Sequence, residues 1–314
     1  MAEAGPGSLS GKIEAPVLIY DRISANKRET WLMMVLFVAL VGGFGTLVAY
    51  IFGMPLFGAP FLFAGLGAYS VFSYYASASV ALAVSGARET TKAEEPELYR
   101  IVENLSIGSG LPMPKVYVIE DSAPNAFATG RDPKHASVTA TRGLLDKLEK
   151  AELEGVMAHE MSHIGNYDIR VMTITVVLVG LVALIADLLL RWTWFGAGTR
   201  GSNKDKGGAM AILVVVALLA AVLAPLVAKL IQLAVSRRRE YLADASGALL
   251  CRNPDALARA LEQISADRDP LEAANKATAH MYFENPLKEH ASKLNSLFNT
   301  HPPVEERIRL LRAM

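Results

Sequence analysis

At 314 residues, 52% hydrophobic and with a mean hydropathy of +0.29, the chain is more apolar than a soluble domain needs to be, which points to a membrane. Lys+Arg and Asp+Glu balance at 31 each, so no net charge recruits a polyanion and nucleic acid is not expected as a partner. The single cysteine, Cys251, excludes an intrachain disulfide, and within Gly247-Ala248-Leu249-Leu250 it reads as a small buried apolar residue.

Residues 1–30 read as a polar N-terminal arm, Gly/Ser-rich at its start and without a signal-peptide pattern. Arg22, Lys27 and Arg28 stand just ahead of Trp31. Residues 31–84 read as a transmembrane hairpin with spans at about 31–52 and 57–84. The first span is 22 residues without a charge; Gly53-Met54-Pro55 breaks it, and the second stays uncharged to Val84. Trp31, Tyr50, Tyr74 and Tyr75 suit an interfacial belt.

Residues 88–170 have the composition of a soluble domain. Leu98, Ile101, Val102 and Leu105 carry helical spacing over Pro96–Ile107. Lys115–Glu120, Pro124–Thr129 and Ala136–Thr141 read as strands, with a turn at Gly130-Arg131-Asp132-Pro133. The edge of such a sheet can hold an extended peptide by backbone pairing, or the sheet can simply support the next helix; the sequence leaves both open. A helix starts at Leu144–Lys150, and another covers Ala151–Gly165.

A second transmembrane hairpin is expected over 171–235, with spans at about 171–190 and 209–235. Asp187 interrupts the first of these and lies four residues before Arg191, the spacing of an interfacial ion pair. Two crossings return the chain to the side it left, so Arg237, Arg238 and Arg239 emerge beside the Ala151–Gly165 helix. With Arg22, Lys27, Arg28, Arg88 and Lys92 they mark that side as cytoplasmic, against the opposing Arg200, Lys204 and Lys206. Residues 236–314 complete the soluble part: helices from Asn253-Pro254 to Ile264, over Leu271–Phe283 and over Val304–Arg312, with a polar stretch at 285–300.

The sharpest signal is His159-Glu160-Met161-Ser162-His163. Histidines four apart share one face of a helix and converge on one metal, while Glu160 beside them is placed to deprotonate a water. A catalytic zinc takes three protein ligands and an open position. Glu240 and His301 are the candidates for the third, with Glu240 preferred because the hairpin returns it close to His163. Asp244, one turn further on, can fix the orientation of a ligand histidine. His301 or an arginine of 237–239 can assist an oxyanion. His135, His280 and His290 lack paired spacing and read as surface or structural.

Four motifs carry a resemblance to the HtpX-type membrane zinc metalloproteases, relatives of the CAAX prenyl proteases. They are Pro124-Asn125-Ala126-Phe127-Ala128-Thr129-Gly130, the His159–His163 pentad, Arg237-Arg238-Arg239-Glu240-Tyr241-Leu242-Ala243-Asp244, and Thr300-His301-Pro302-Pro303. The likeness runs from about residue 31 to 314. It implies a mainly α integral membrane protein with a small β-sheet, two hydrophobic helical hairpins and a gluzincin-like zinc metalloprotease domain split between 88–170 and 236–314. It further implies one Zn²⁺ per chain on His159, His163 and Glu240, with Glu160 catalytic. The implied setting is the plasma (inner) membrane, multi-pass, with the active site facing the cytoplasm. The implied substrates are polypeptides, above all misfolded or damaged membrane proteins met at the lipid bilayer under stress. Two alternatives stand beside it: a membrane scaffold or sensor with a structural zinc closed by Cys251 or His301, and a CAAX-type prenyl-peptide protease. Four apolar runs leave less membrane volume than the prenyl-protease branch uses.

Overall fold

The computed structural model describes residues 19–51, 55–182, 237–274, 278–284 and 302–314. Among these the chain is mainly helical around one small sheet. Helix α1 (Ile19–Ile51) and helix α2 (Ala59–Val84), joined through a 3₁₀ turn at Leu56–Gly58, pack on one another, and Trp31 stacks on Tyr74 at 6.3 Å. The polar arm expected over 1–30 is therefore helical from Ile19 onward, and Asn26 and Thr30 within it are buried. Among the described residues one helix is by itself long and apolar enough to cross a membrane: Ile23–Thr46, at hydropathy 1.6. Helix α2 carries no charge, but Ser70, Ser73, Ser77 and Ser79, with two glycines and three tyrosines, dilute its apolarity.

Strands β1 (Arg88–Glu89), β2 (Lys115–Ile119), β3 (Ala126–Gly130) and β4 (Ala136–Thr141) form a sheet of order β1-β2-β4-β3. β2 and β4 run parallel, with Val116 opposite Val138, and β3 returns antiparallel, with Ala126 opposite Ala140. Helix α3 (Pro96–Ser109) begins with proline at its first turn and ends on Gly110 at φ 70°, the left-handed cap that glycine adopts without strain.

Thr141 accepts from Leu144 N–H to start the short helix α4 (Arg142–Lys147). Helix α5 (Lys150–Gly165) opens on a capping box between Glu149 and Glu152. It lies between the sheet and α3 on one side and, on the other, helices α7 (Arg237–Cys251) and α8 (Pro254–Ala266). That position explains why nearly every residue from Glu152 to Ile164 is buried, polar ones included. Leu98, Val138, Met157, Leu257 and Leu311 share the core it runs through.

At Asn166-Tyr167 the chain turns by 83° into helix α6, described over Asp168–Val182. Tyr167 adopts φ 61°, uncommon for a residue with a side chain. Val171, Ile174 and Leu178 of α6 pack on Met33, Met34 and Phe37 of α1, so the third apolar run begins against the first. Asp187, Arg191 and the fourth run lie outside the described residues, and the described ones do not establish two complete hairpins.

The helix expected over Leu271–Phe283 is replaced by a turn and a 3₁₀ helix at Ala279–Met281. Here Phe283 N–H donates to Ala126 O at 2.8 Å, and Met281 and Tyr282 fill a cluster with Phe127, Ile119 and Met172. Pairing with β3 and burial of these side chains override the helical spacing. Helix α9 (Val304–Leu311) closes the chain against α8.

Candidate metal centre

On α5 the four-residue spacing brings His159 Nε2 and His163 Nε2 to 3.1 Å of one another, with the rings edge to face. Helix α7 supplies the third group. Glu240 Oε2 lies 3.7 Å from His159 Nε2, and Oε1 lies 3.7 Å from His163 Nε2. The three ligand atoms fall within 4.8 Å of one another, and this is the cluster of metal-ligand type among the described residues. Helix α7 gets this close because Gly247 lies against the backbone of α5: a Cβ there would sit 2.9 Å from His159 N and 3.0 Å from its Cα.

Two carboxylates stand behind the histidines. Asp244 Oδ1 is 2.9 Å from His159 Nδ1. Asp168 Oδ2 is 3.1 Å from His163 Nδ1. Facing acceptors, both Nδ1 atoms favour carrying the proton, which leaves both Nε2 lone pairs aimed at the same point. Tetrahedral zinc, with bonds of about 2.0–2.1 Å to nitrogen, spaces its ligands about 3.3 Å apart. The 3.1 and 3.7 Å separations seen here bracket that spacing, so the residues fit such an ion.

The electrostatics agree. Burial pushes the His163 imidazolium down, but the Asp168 bond and the Glu240 charge outweigh it and raise its pKa to about 9. The same carboxylates that favour a proton there favour a divalent cation at the pocket's centre. Burial raises the Glu160 carboxyl to about 7, against the lowering effect of the His163 charge and with the help of the Glu240 charge. The Ala128 N–H of β3 near its carboxylate acts the other way and lowers it.

Asp244 goes the other way. Burial raises it, yet Arg307 and His159 hold it at about 2. Arg307, fully buried on α9, donates to both Asp244 oxygens at 2.8 and 2.7 Å and to Phe283 O at 3.3 Å. Its guanidinium also lies 4.9 Å over the Phe283 ring, which in turn meets His159 edge-on at 4.8 Å.

The structure thus brings together His159, Glu160, His163, Glu240 and Asp244, all named from sequence, whereas His301 and His290 lie outside the described residues. Arg239 does not face the pocket as an oxyanion donor; it pairs with Glu29, Asp168 and Asn26. Arg237 and Arg238 are exposed. His280 is structural, with Nε2 3.0 Å from Met172 O, and His135 is half-exposed beside Asp132. Cys251 is half-buried, its thiol near Ala248 O and Asn253 O and outside the metal cluster.

On the outward edge of β3, Ala126 O accepts from Phe283 N–H and Gly130 N–H donates to Thr173 Oγ1 at 3.2 Å. Helix α5 packs on β3 and β4, so the sheet supports the metal helix.

Sequence reasoning missed Asp168 and Arg307. Arg307 had a signal, because it falls in the apolar stripe Val304, Ile308, Leu311 of its helix, where a charge needs a buried partner. Asp168 lies just past the turn that ends α5, and no helical spacing ties it to His163.

Residues 92–314 match Peptidase family M48. The chain is 48% identical over 297 residues to the "Protease HtpX homolog" of Tropheryma whipplei, covering 95% of this chain and 99% of that protein. The protein of the same name from Dictyoglomus thermophilum is 46% identical over 300 residues, 95% of this chain and 96% of its own. Among solved structures, the crystal structure of S. mikatae Ste24p aligns at TM-score 0.46 and 21% identity, over 90% of this chain and 66% of that one.

Proposed function

The chain belongs to peptidase family M48 and is a membrane metalloprotease, and we propose that His159, His163 and Glu240 hold one zinc ion beside which Glu160 acts as general base and acid. One observation carries the ligand assignment: two Nε2 atoms and a carboxylate converge, with an aspartate behind each imidazole. When bound, zinc supplies Lewis acidity to the attacking water and the scissile carbonyl.

The chain's own residues supply the rest. Glu160 takes a proton from the water and passes one to the leaving amine. Buried beside the two histidines, its carboxyl is placed to exchange protons in both directions. Asp244 and Asp168 keep the two imidazoles in the Nδ1–H form, and Arg307 keeps Asp244 charged.

We also propose that the centre lies at the cytoplasmic surface of the plasma membrane and that its substrates are misfolded or damaged membrane proteins. Supporting the position, the polar foot of α1, with Asn26, Lys27 and Glu29, adjoins the metal centre, while Met33, Met34 and Phe37 further along it pack on the apolar face of α6. Basic residues at that foot suit the cytoplasmic side. The remaining spans of the two hairpins would complete a multi-pass topology. Polypeptide substrates follow from the family itself.

Removing metal with a chelator is expected to abolish cleavage of an unfolded polypeptide by the purified, detergent-held protein. One equivalent of zinc should restore it. Undiminished cleavage at a metal content near zero would overturn the zinc assignment.

A further inference from the structure

The foot of α1 is built into the walls of the metal centre. Asn26 is 1% exposed, and every polar atom of its side chain is engaged. Its Nδ2 donates to Asn166 O at 2.8 Å and to Asp168 Oδ1 at 2.8 Å, while Oδ1 accepts from Arg239 Nη2 at 2.9 Å. Arg239 Nε also lies 3.1 Å from Asp168 Oδ1, and its guanidinium pairs with Glu29, one turn further along α1. Beside them Lys27 caps the ring of Tyr167 at 4.6 Å, in the strained turn between α5 and α6.

The direction of these bonds matters. Asp168 has two oxygens, and Asn26 of α1 and Arg239 of α7 both take Oδ1. That fixes the carboxylate plane and leaves Oδ2 facing His163 Nδ1 at 3.1 Å. Asn26 therefore reaches one metal-binding histidine through a single intermediary. Arg239, which it also holds, contacts the same Asp168 Oδ1, so both arms of the Asn26 amide converge on that carboxylate. A buried polar network of this kind is rigid when complete and costly when one member is lost.

From this we infer that Asn26 is a positioning residue for the metal centre: α1 is part of the metal site's support, and metal affinity depends on its foot being docked. The inference rests on the metal assignment proposed above. It makes α1 more than an anchor, because displacing that helix within the bilayer would loosen the grip on His163 without touching a ligand.

The test is zinc affinity, measured by competition with a chelator on the full-length protein in lipid nanodiscs, with no activity assay involved. Asn26→Ala is expected to weaken zinc binding by about 10- to 100-fold, the range for loss of a group behind a metal ligand. Asp168→Asn should weaken it comparably. Because Asn26 acts through Asp168, the double variant should bind zinc no more weakly than Asp168→Asn alone. Val35→Ala, on the exposed face of α1, should leave affinity unchanged.

If Asn26→Ala does not fold, Asn26→Asp preserves size and the acceptor for Arg239 but replaces the donors to Asp168, and the same loss is expected. Wild-type affinity in the variant that folds, or fully additive losses in the double variant, would overturn the inference while leaving the metal assignment intact. Failure of the wild-type protein to bind zinc would instead remove the assignment, and this inference with it.

Discussion

Glu160→Gln is expected to bind metal as the wild-type chain does and to cleave polypeptide about 100- to 10,000-fold more slowly, the usual worth of a general acid–base. The substitution is nearly isosteric. The three metal-binding groups are untouched. What disappears is the ability to take a proton from water and to return it. The measurement is a parallel determination of metal content and of the cleavage rate at saturating substrate. A variant that keeps its metal and its rate would remove Glu160 from the mechanism. A variant that loses its metal would show that the carboxylate supports the centre as well.

Arg307→Met should be the most damaging substitution outside the metal-binding groups, at about 3–5 kcal/mol, because it strands a buried carboxylate. Arg307 is fully buried and makes two short bonds to Asp244, and its Nη1 lies 4.0 Å from Glu240. Methionine preserves much of the volume but leaves Asp244 without its counter-charge.

The pH dependence has a definite sign. In the intact protein Asp244 is held at about 2, below its ordinary value of 3.8. Its stabilising effect is thus fully present above about pH 4 and is lost as pH falls through 4 towards 2, by roughly 2 kcal/mol in all. Without Arg307 the burial of Asp244 dominates, its pKa rises, and the acid-side loss should vanish from that window. Stability should instead decline as pH rises and the stranded carboxyl ionises. Denaturant unfolding of the metal-free protein from pH 2 to 8, wild type against variant, reads both effects; parallel curves would contradict the assignment of Arg307 as the group that keeps Asp244 charged.

How much of this was legible in the sequence depends on how far each contact reaches along the chain. His159 and His163 sit one helical turn apart, and local periodicity alone placed their imidazoles together. Glu240 and Asp244 were reached by assuming that the intervening apolar run returns the chain to its starting side, and α7 does lie against α5.

The contacts that were not legible join segments with no shared period. Asn26 meets Asp168 across 142 residues, and Arg307 meets Asp244 across 63. Residues 19–30 read as a polar arm because their charges hid the helix, yet those polar groups are the ones docked on the metal centre. The apolar spacing of Leu271–Phe283 suggested a helix, whereas its side chains are buried by an irregular segment that satisfies Ala126 O on the edge of β3. Periodicity reports which side chains want burial; it does not report which backbone will be recruited to complete a neighbouring strand.

The central claim is that three side chains, His159, His163 and Glu240, hold a zinc with one position left for water. X-ray absorption at the zinc edge of the purified, fully loaded protein tests it most directly. The expected result is a first shell of two imidazole nitrogens, one carboxylate and one oxygen not supplied by the protein, without sulfur. A sulfur contribution from Cys251, or four protein ligands and no water, would contradict it and point to a closed structural site.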